Sequence, residues 1–174
     1  YYELFPVLTL QKTELHNPLI KGFKRVFDII FSLMVILLLL SWLIPLLAIL
    51  IKLESKGPVF FKQGRPGLDE EEFFCYKFRS MHINGDELLK DYLSKNPEAK
   101  KEWDEFQKLH DYDPRVTKAG KIMRRTSLDE LPQILNVLKG EMSLVGPRPY
   151  LPREKNMMGD FYKIIISTVP GITG

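Results

Sequence analysis

Cysteine is almost missing from this chain: Cys75 is the only one in 174 residues. An intrachain disulfide is therefore excluded, and a reducing compartment fits. Histidine is scarce as well, and His16, His82 and His110 stand apart with no ligand spacing, so nothing reads as a zinc site. Neither sign of charge dominates. Lys and Arg total 25 against 22 Asp and Glu, a net charge of +3, too small a surplus to call for nucleic acid by itself. Internal repeats and low-complexity tracts are absent too. The largest gap is a gap in charge: residues 29–51 are 23 consecutive positions without one.

That run is rich in Leu and Ile and contains Pro45. As a helix at ~1.5 Å per residue it reaches roughly 34 Å, enough for a hydrocarbon core of ~30 Å. Its length and its position well inside the chain argue against a secretory signal and against a buried core helix. Pro45 has no N–H for the carbonyl of Ser41, so an unpaired acceptor falls within the apolar run unless a neighbour such as the Ser41 hydroxyl serves as a local donor. A kink or break near Ser41 to Pro45 is expected. Two geometries remain open, a single-pass anchor with a proline kink and a segment that bends and returns to its own face. Lys12, Lys21, Lys24 and Arg25 precede the run, while Lys52, Lys56, Lys62 and Arg65 follow it. With the basic count equal on both sides, the positive-inside rule prefers neither end for export. The returning geometry satisfies both flanks, and the flanking cations suit an anionic surface at ~1 kcal/mol each.

The organisation expected from this is a linker over residues 1–20, a membrane helix over 21–54 and a cytosolic domain over 55–174, large enough for one core and not for two. Both ends read as cut, since the chain starts at Tyr1 and stops in a turn-like Val-Pro-Gly-Ile-Thr-Gly. Residues 59–62 are β-branched and aromatic, Gly64-Arg65-Pro66-Gly67 reads as a turn, and residues 73–81 read as a second strand, together a hairpin. Leu89, Leu93, Trp103, Phe106 and Leu109 are spaced as apolar helical stripes, with Pro97 dividing two helices. Further helices are expected over 115–124 and up to about Leu138, and residues 142–145 read as extended. The fold class is α+β with helices dominant and one small β-hairpin.

Chemistry concentrates between Lys118 and Pro149. In Arg124-Arg125-Thr126-Ser127-Leu128-Asp129-Glu130-Leu131-Pro132, two carboxylates follow two guanidinium groups. Ser127 and Glu130 have capping-box spacing, which would make this simply a helix start. Pro132 prefers the first helical position, so a start nearer Leu131 is the other reading, with Asp129 and Glu130 at the helix mouth. Gly146-Pro147-Arg148-Pro149 is a rigid turn that limits the entropy lost when Arg148 grips an oxygen pair. Lys77 and Arg79 alternate with Phe78 and share one strand face, either solvated or functional.

Taken in order, Lys24-Arg25-Val26-Phe27-Asp28, Gly57-Pro58-Val59-Phe60-Phe61-Lys62-Gln63, Lys77-Phe78-Arg79-Ser80-Met81, residues 126–133, Asn136-Val137-Leu138-Lys139-Gly140 and residues 143–149 resemble the bacterial sugar transferases called monotopic phosphoglycosyl transferases. The likeness covers roughly residues 21–174. It implies transfer of a sugar 1-phosphate from a UDP-sugar to a polyprenyl phosphate, usually undecaprenyl phosphate, at the cytoplasmic face of the bacterial inner membrane. UMP is released, and a lipid-linked glycan for O-antigen, capsule or exopolysaccharide is begun. It also implies a re-entrant membrane helix broken near a serine-proline pair, from which Ser41 and Pro45 depart by standing four residues apart. By the same likeness Asp129 and Glu130 are the catalytic dyad. Asp129 would attack the β-phosphorus to give a phosphosugar-aspartyl intermediate, and Glu130 would help hold Mg²⁺ or take a proton. A carboxylate attacks an anionic diphosphate only where charge is neutralised, which a divalent ion and basic side chains do. Arg124 and Arg148, with Lys77 and Arg79, are the candidates for phosphate or UMP contacts.

The helical insert over residues 83–112 resembles the larger, multi-domain members, and the family normally continues beyond Gly174. Which sugar is carried, which polyprenol is preferred and whether the chain forms a homo-oligomer are not written in the residues. A non-catalytic membrane scaffold is the rival reading and predicts no UMP release. A nucleic-acid module would need an aromatic-interleaved basic face, for which residues 76–79 are the only hint.

Overall fold

The computed structural model describes residues 18–159 and 161–173. Most of the expected N-terminal linker lies outside these residues, and Pro18 to Ile20 already belong to the first helix. That helix, α1 (Pro18–Val35), continues through a widened turn at Ile36–Leu40 into α2 (Ser41–Glu54). Together they make 37 helical residues, long and apolar enough to cross a membrane. The expected break at Ser41 to Pro45 is instead a π-type turn just before Ser41, whose amide donates to the Ile36 carbonyl. Widened turns are a known way to accommodate a bend near a proline. The carbonyls of this turn find side-chain donors. Ser41 Oγ donates to Leu37 O at 2.8 Å and Trp42 Nε1 to Leu38 O at 2.9 Å. Thus the Ser41 hydroxyl serves Leu37, not the carbonyl that Pro45 leaves free.

Both arms of this helix dock on the rest of the chain. On α1, Arg25 donates to the carbonyls of Val137 and Leu138, and Lys24 Nζ donates to Val145 O at 2.8 Å. Asp28, 4% exposed, accepts from Ser143 Oγ at 2.7 Å and from the Leu144 amide at 3.2 Å. On α2 the contact is apolar: Leu43, Leu47 and Ile51 form one buried cluster with Phe78 and Met123. At the end of α2, Glu54 accepts from the Ala119 amide at 2.9 Å.

The hairpin forms as expected but with a later reversal. Strands β1 (Phe60–Pro66) and β2 (Glu72–Phe78) run antiparallel in the register Phe60↔Phe78 to Pro66↔Glu72. Gly64, Arg65 and Pro66 are strand rather than turn, because the buried Arg65 side chain points inward from extended backbone opposite Phe73. The chain reverses over residues 67–71, closed by a Gly67 amide bond to Glu71 O at 2.8 Å.

The insert follows as α3 (Gly85–Lys95) and α4 (Pro97–Phe106), divided at Pro97 as expected. Its root is a short pairing of two backbone segments: the His82 amide donates to Arg115 O at 2.8 Å and the Thr117 amide to Ser80 O at 3.1 Å. That pairing holds Arg115 and Val116 out of the next helix. Consequently α5 (Lys118–Arg125) starts later than expected, capped by Thr117 Oγ1 on the Gly120 amide at 2.9 Å. A 3₁₀ turn over Leu128–Gln133 leads into α6 (Ile134–Lys139), which ends at Gly140 in the left-handed region, φ 89°.

Asn136, fully buried, locks α6 to β2: it accepts from the Tyr76 amide at 3.1 Å and donates to Phe74 O at 2.8 Å. Beneath it, Phe73, Cys75, Val137 and Met142 form a second core. The expected extended piece at 142–145 is β3 (Ser143–Val145). After α7 (Lys155–Met158) and α8 (Phe161–Ile166), β4 (Gly171–Thr173) pairs with it in parallel, and none of these three later elements is signalled by periodicity. The two backbones approach so closely that a Cβ on Gly171 would lie 2.1 Å from the Gly146 nitrogen.

Candidate active site

Ser127 does not cap a helix. Its backbone is left-handed, φ 56°, and its side chain makes no capping bond, so the capping-box reading fails. The helix-mouth reading fails as well, since α6 begins only at Ile134. With Pro132 unable to donate, the chain takes a 3₁₀ turn instead, and Asp129 and Glu130 lie in its first part. The strained Ser127 is what swings this turn round from α5.

Lys77, Arg79, Arg124, Asp129, Glu130 and Arg148 all line one cavity of ≈ 1280 Å³. Lys77 Nζ lies 2.5 Å from Glu130 Oε1, joining β2 to the 3₁₀ turn. Asp129 is 9% exposed, and no side-chain donor reaches its carboxylate among the described residues. Burial pushes its pKa up; Lys77 opposes this, Glu130 adds to it, and Arg124 opposes it. Arg124 spends only Nε, on Ser80 Oγ at 2.8 Å. Arg148 makes no hydrogen bond or ion pair among the described residues and stands exposed at the rim. Its turn is nonetheless fixed: the Gly171 amide donates to Pro147 O at 2.8 Å and the Gly146 amide to Thr173 O at 3.0 Å.

Arg79 is the exception among these six. Its Nη1 and Nη2 donate to Lys56 O at 2.9 Å and Ser55 O at 2.6 Å, so its head holds the end of α2. Its Nε is buried without a partner, and burial lowers its pKa.

Gln63, Arg65, Ser80 and Arg115 are among the lining residues that escape sequence reasoning. Arg65, 7% exposed, donates from Nη1 to Pro149 O at 2.8 Å and from Nη2 to Gln63 Oε1 at 2.9 Å. It therefore braces the Arg148 turn from beneath. The alternation of Phe61, Gln63 and Arg65 on one strand face, cross-paired with Lys77, Cys75 and Phe73, was the available signal. Cys75 also lines the cavity, where burial pushes its thiol pKa up, against the pull of Lys77 and Arg65. Arg115 forms a two-oxygen pair with Asp113, at 2.8 Å from Nε and 2.6 Å from Nη2. Burial pushes the Asp113 carboxyl up, but the bonds from Arg115 outweigh it and hold the pKa down.

Among the described residues no group of three or more His, Cys, Asp or Glu side chains is placed to hold a metal. Two adjacent carboxylates, one of them without a side-chain partner, nevertheless fit a hard ion such as Mg²⁺, which takes one or two carboxylates and completes its shell with phosphate oxygens and water.

The model of a family described as bacterial sugar transferase matches residues 19–174. The chain is 42% identical over 151 residues to the exopolysaccharide production protein ExoY of Sinorhizobium fredii, covering 87% of this chain and 66% of that protein. It is 45% identical over 153 residues to a UDP-galactose-lipid carrier transferase of Erwinia amylovora, covering 87% of this chain and 31% of that one. To a UDP-glucose:undecaprenyl-phosphate glucose-1-phosphate transferase of Escherichia coli the identity is 38% over 172 residues, covering 97% and 33%. The chain thus spans just under two thirds of the first of these relatives and about a third of the other two. With a family match over nearly its whole length, the chain belongs to the bacterial sugar transferase family.

Proposed function

We propose that this chain transfers a sugar 1-phosphate from a UDP-sugar to a polyprenyl phosphate, releasing UMP, in the first membrane step of a bacterial glycan. The observation that carries the reading is the mixture in one cavity: a buried carboxylate with no side-chain partner, and two arginines, Arg124 and Arg148, with uncommitted donors. Uncommitted donors around a shielded carboxylate suit a ligand with several anionic oxygens.

In this mechanism an Asp129 carboxylate oxygen attacks the β-phosphorus, and the bond from that phosphorus to the bridging oxygen breaks. UMP departs with the oxygen, leaving the phosphosugar on Asp129. A polyprenyl phosphate oxygen then attacks the same phosphorus, freeing Asp129 and giving the polyprenyl diphosphate sugar. Lys77, held on Glu130, and Arg124 lie where charge builds on the transferring group. Arg148, on its braced turn, grips the nucleotide phosphate. Asp129 and Glu130 would hold Mg²⁺, which would supply further neutralisation of the diphosphate. Arg79 is a positioning residue that ties α2 to β2.

A long isoprenoid stays in the bilayer, so the cavity must sit at headgroup depth. We read the 18–54 helix as re-entrant, with its bend at the widened turn and the cavity on the cytoplasmic face of the inner membrane. Support comes from the docking of both arms: residues 24–28 and residues 43–54 contact one body, whereas the ends of a crossing helix stand ~30 Å apart on opposite faces. Ten residues separate Asp28 from Leu38, about 15 Å of helix or one leaflet.

Full-length protein in lipid nanodiscs, given undecaprenyl phosphate and a panel of UDP-sugars, is expected to release UMP. With the acceptor withheld, intact-mass analysis is expected to find the sugar phosphate on the protein. No UMP from any UDP-sugar would refute the reading. Cysteines placed by Lys21→Cys and Lys56→Cys should be labelled from the same side; labelling from opposite sides would restore a single-pass anchor.

A further inference from the structure

We propose that the α3–α4 insert is the sugar-selecting wall of the cavity, with Trp103 as its platform. This rests on the UDP-sugar reading above. The insert and its root place Asp86, Trp103, Lys108 and Arg115 in the lining of the same cavity that holds the dyad. Trp103 is half-buried, with the Arg115 guanidinium 4.8 Å from its ring centroid on one face. Arg115 is itself fixed by the two-oxygen pair with Asp113, so the indole is held by a cation that does not swing away. A rigid indole with one face occupied leaves its other face and edge as an apolar surface, and Asp86 and Lys108, exposed and lining the same cavity, add hydrogen-bonding groups of both kinds. That combination suits a hexose, which has apolar C–H faces and a rim of hydroxyls.

The direction of the substrate follows from its chemistry. A UDP-sugar carries its diphosphate in the middle, so with that group at Asp129, Arg124 and Arg148 the nucleoside and the sugar must leave by different walls. Another stretch of the lining, Gly171, Ile172 and Thr173, runs beside the Arg148 turn. The Gly171 amide and the Thr173 carbonyl are already spent on Pro147 O and the Gly146 amide, so this stretch offers few groups to a rim of hydroxyls, whereas the side chains of the insert match them. The sugar therefore goes to the insert.

The test compares the parent with Trp103→Ala, Trp103→Phe and Asp86→Ala, each in nanodiscs, on UDP-glucose, UDP-galactose and UDP-N-acetylglucosamine, alongside direct binding of UMP, which has no sugar. We expect Trp103→Ala to change the ratio of kcat/KM between two of these donors at least tenfold, Trp103→Phe to restore most of it, and UMP affinity to stay within twofold. Asp86→Ala, at an exposed site, is expected to shift the ratio in the same assay and covers the case in which Trp103→Ala fails to fold. Equal losses on all donors with weakened UMP binding would make this the nucleoside wall and overturn the proposal. Unchanged ratios in both alanine variants would overturn it too. A parent that releases no UMP from any donor fails the functional reading itself, a result that the parent alone reveals.

Discussion

Two clusters of charge lie in this chain, one at the foot of α1 and one in the cavity, and they are partnered in opposite ways. At the foot of α1, Lys24, Arg25 and Asp28 reach five groups of the 137–145 segment, and both carboxylate oxygens of Asp28 accept a hydrogen bond. In the cavity Arg148 has no partner among the described residues, Arg124 spends one nitrogen on Ser80, and no side chain donates to Asp129. A buried charge left short of partners costs stability, so it persists where something other than stability retains it. The saturated cluster holds the architecture together, and the unsaturated one keeps donors free for the anionic oxygens of the proposed donor. Lys77, on β2, and Arg79, which falls just past the end of that strand and not within it as expected, divide along the same line: one meets Glu130, the other two backbone carbonyls.

The difference can be broken by substitution. The largest effect is expected from Asp129→Asn, which should lower UMP release by at least ~10³-fold, the scale of losing a nucleophile. Substantial residual turnover would remove Asp129 from that role. The same variant should be more stable than the parent at neutral pH. The folded pKa of Asp129 is raised above the ordinary 3.8, so the native state binds this proton more tightly than the unfolded chain does. Its contribution to stability is present below that ordinary value and is lost as the pH rises through the folded pKa. Asparagine escapes that loss, and the difference in Tm should shrink as the solution is acidified.

Asp28→Ala should do the reverse, costing stability by about 1–3 kcal/mol because Ser143 and the Leu144 amide lose a buried acceptor. Thermal unfolding in one detergent measures this, and an unchanged Tm would show that the α1 cluster is not structural. Arg148→Ala is expected to raise KM for the UDP-sugar about tenfold, or 1.4 kcal/mol, with little change in Tm. Unchanged kinetics would return that turn to a purely structural role. The smallest effect should appear in the pH profile of the parent: activity falls on acidification through the raised Asp129 pKa, since only the ionised carboxylate attacks. Arg124→Ala, which removes a cation that pulls that pKa down, should move the acid limb toward higher pH.

Much of this was written locally in the chain. Pro97 divides the insert, alternating aromatics make the hairpin, and the acidic pair between Ser127 and Pro132 stands out beside the arginines. What escaped is carried by contacts distant in sequence. Arg65 reads as part of a turn until its bond to Pro149, 84 residues away, shows why the strand continues through it. Likewise β4 is three residues with no period of its own, and only its close approach to Gly146 makes it a strand. Local pattern also misjudged Ser127 and Glu130, whose spacing is right for a capping box but whose turn must accommodate Pro132.

The docking of both helix arms on one body carries a consequence for where such a chain can work. On the re-entrant reading proposed above, its fit to the lipid depends on a single leaflet, so the mismatch that sorts full-crossing helices between thin and thick bilayers has little hold on it. Nanodiscs built from shorter or longer acyl chains should leave the rate of sugar-phosphate transfer nearly level.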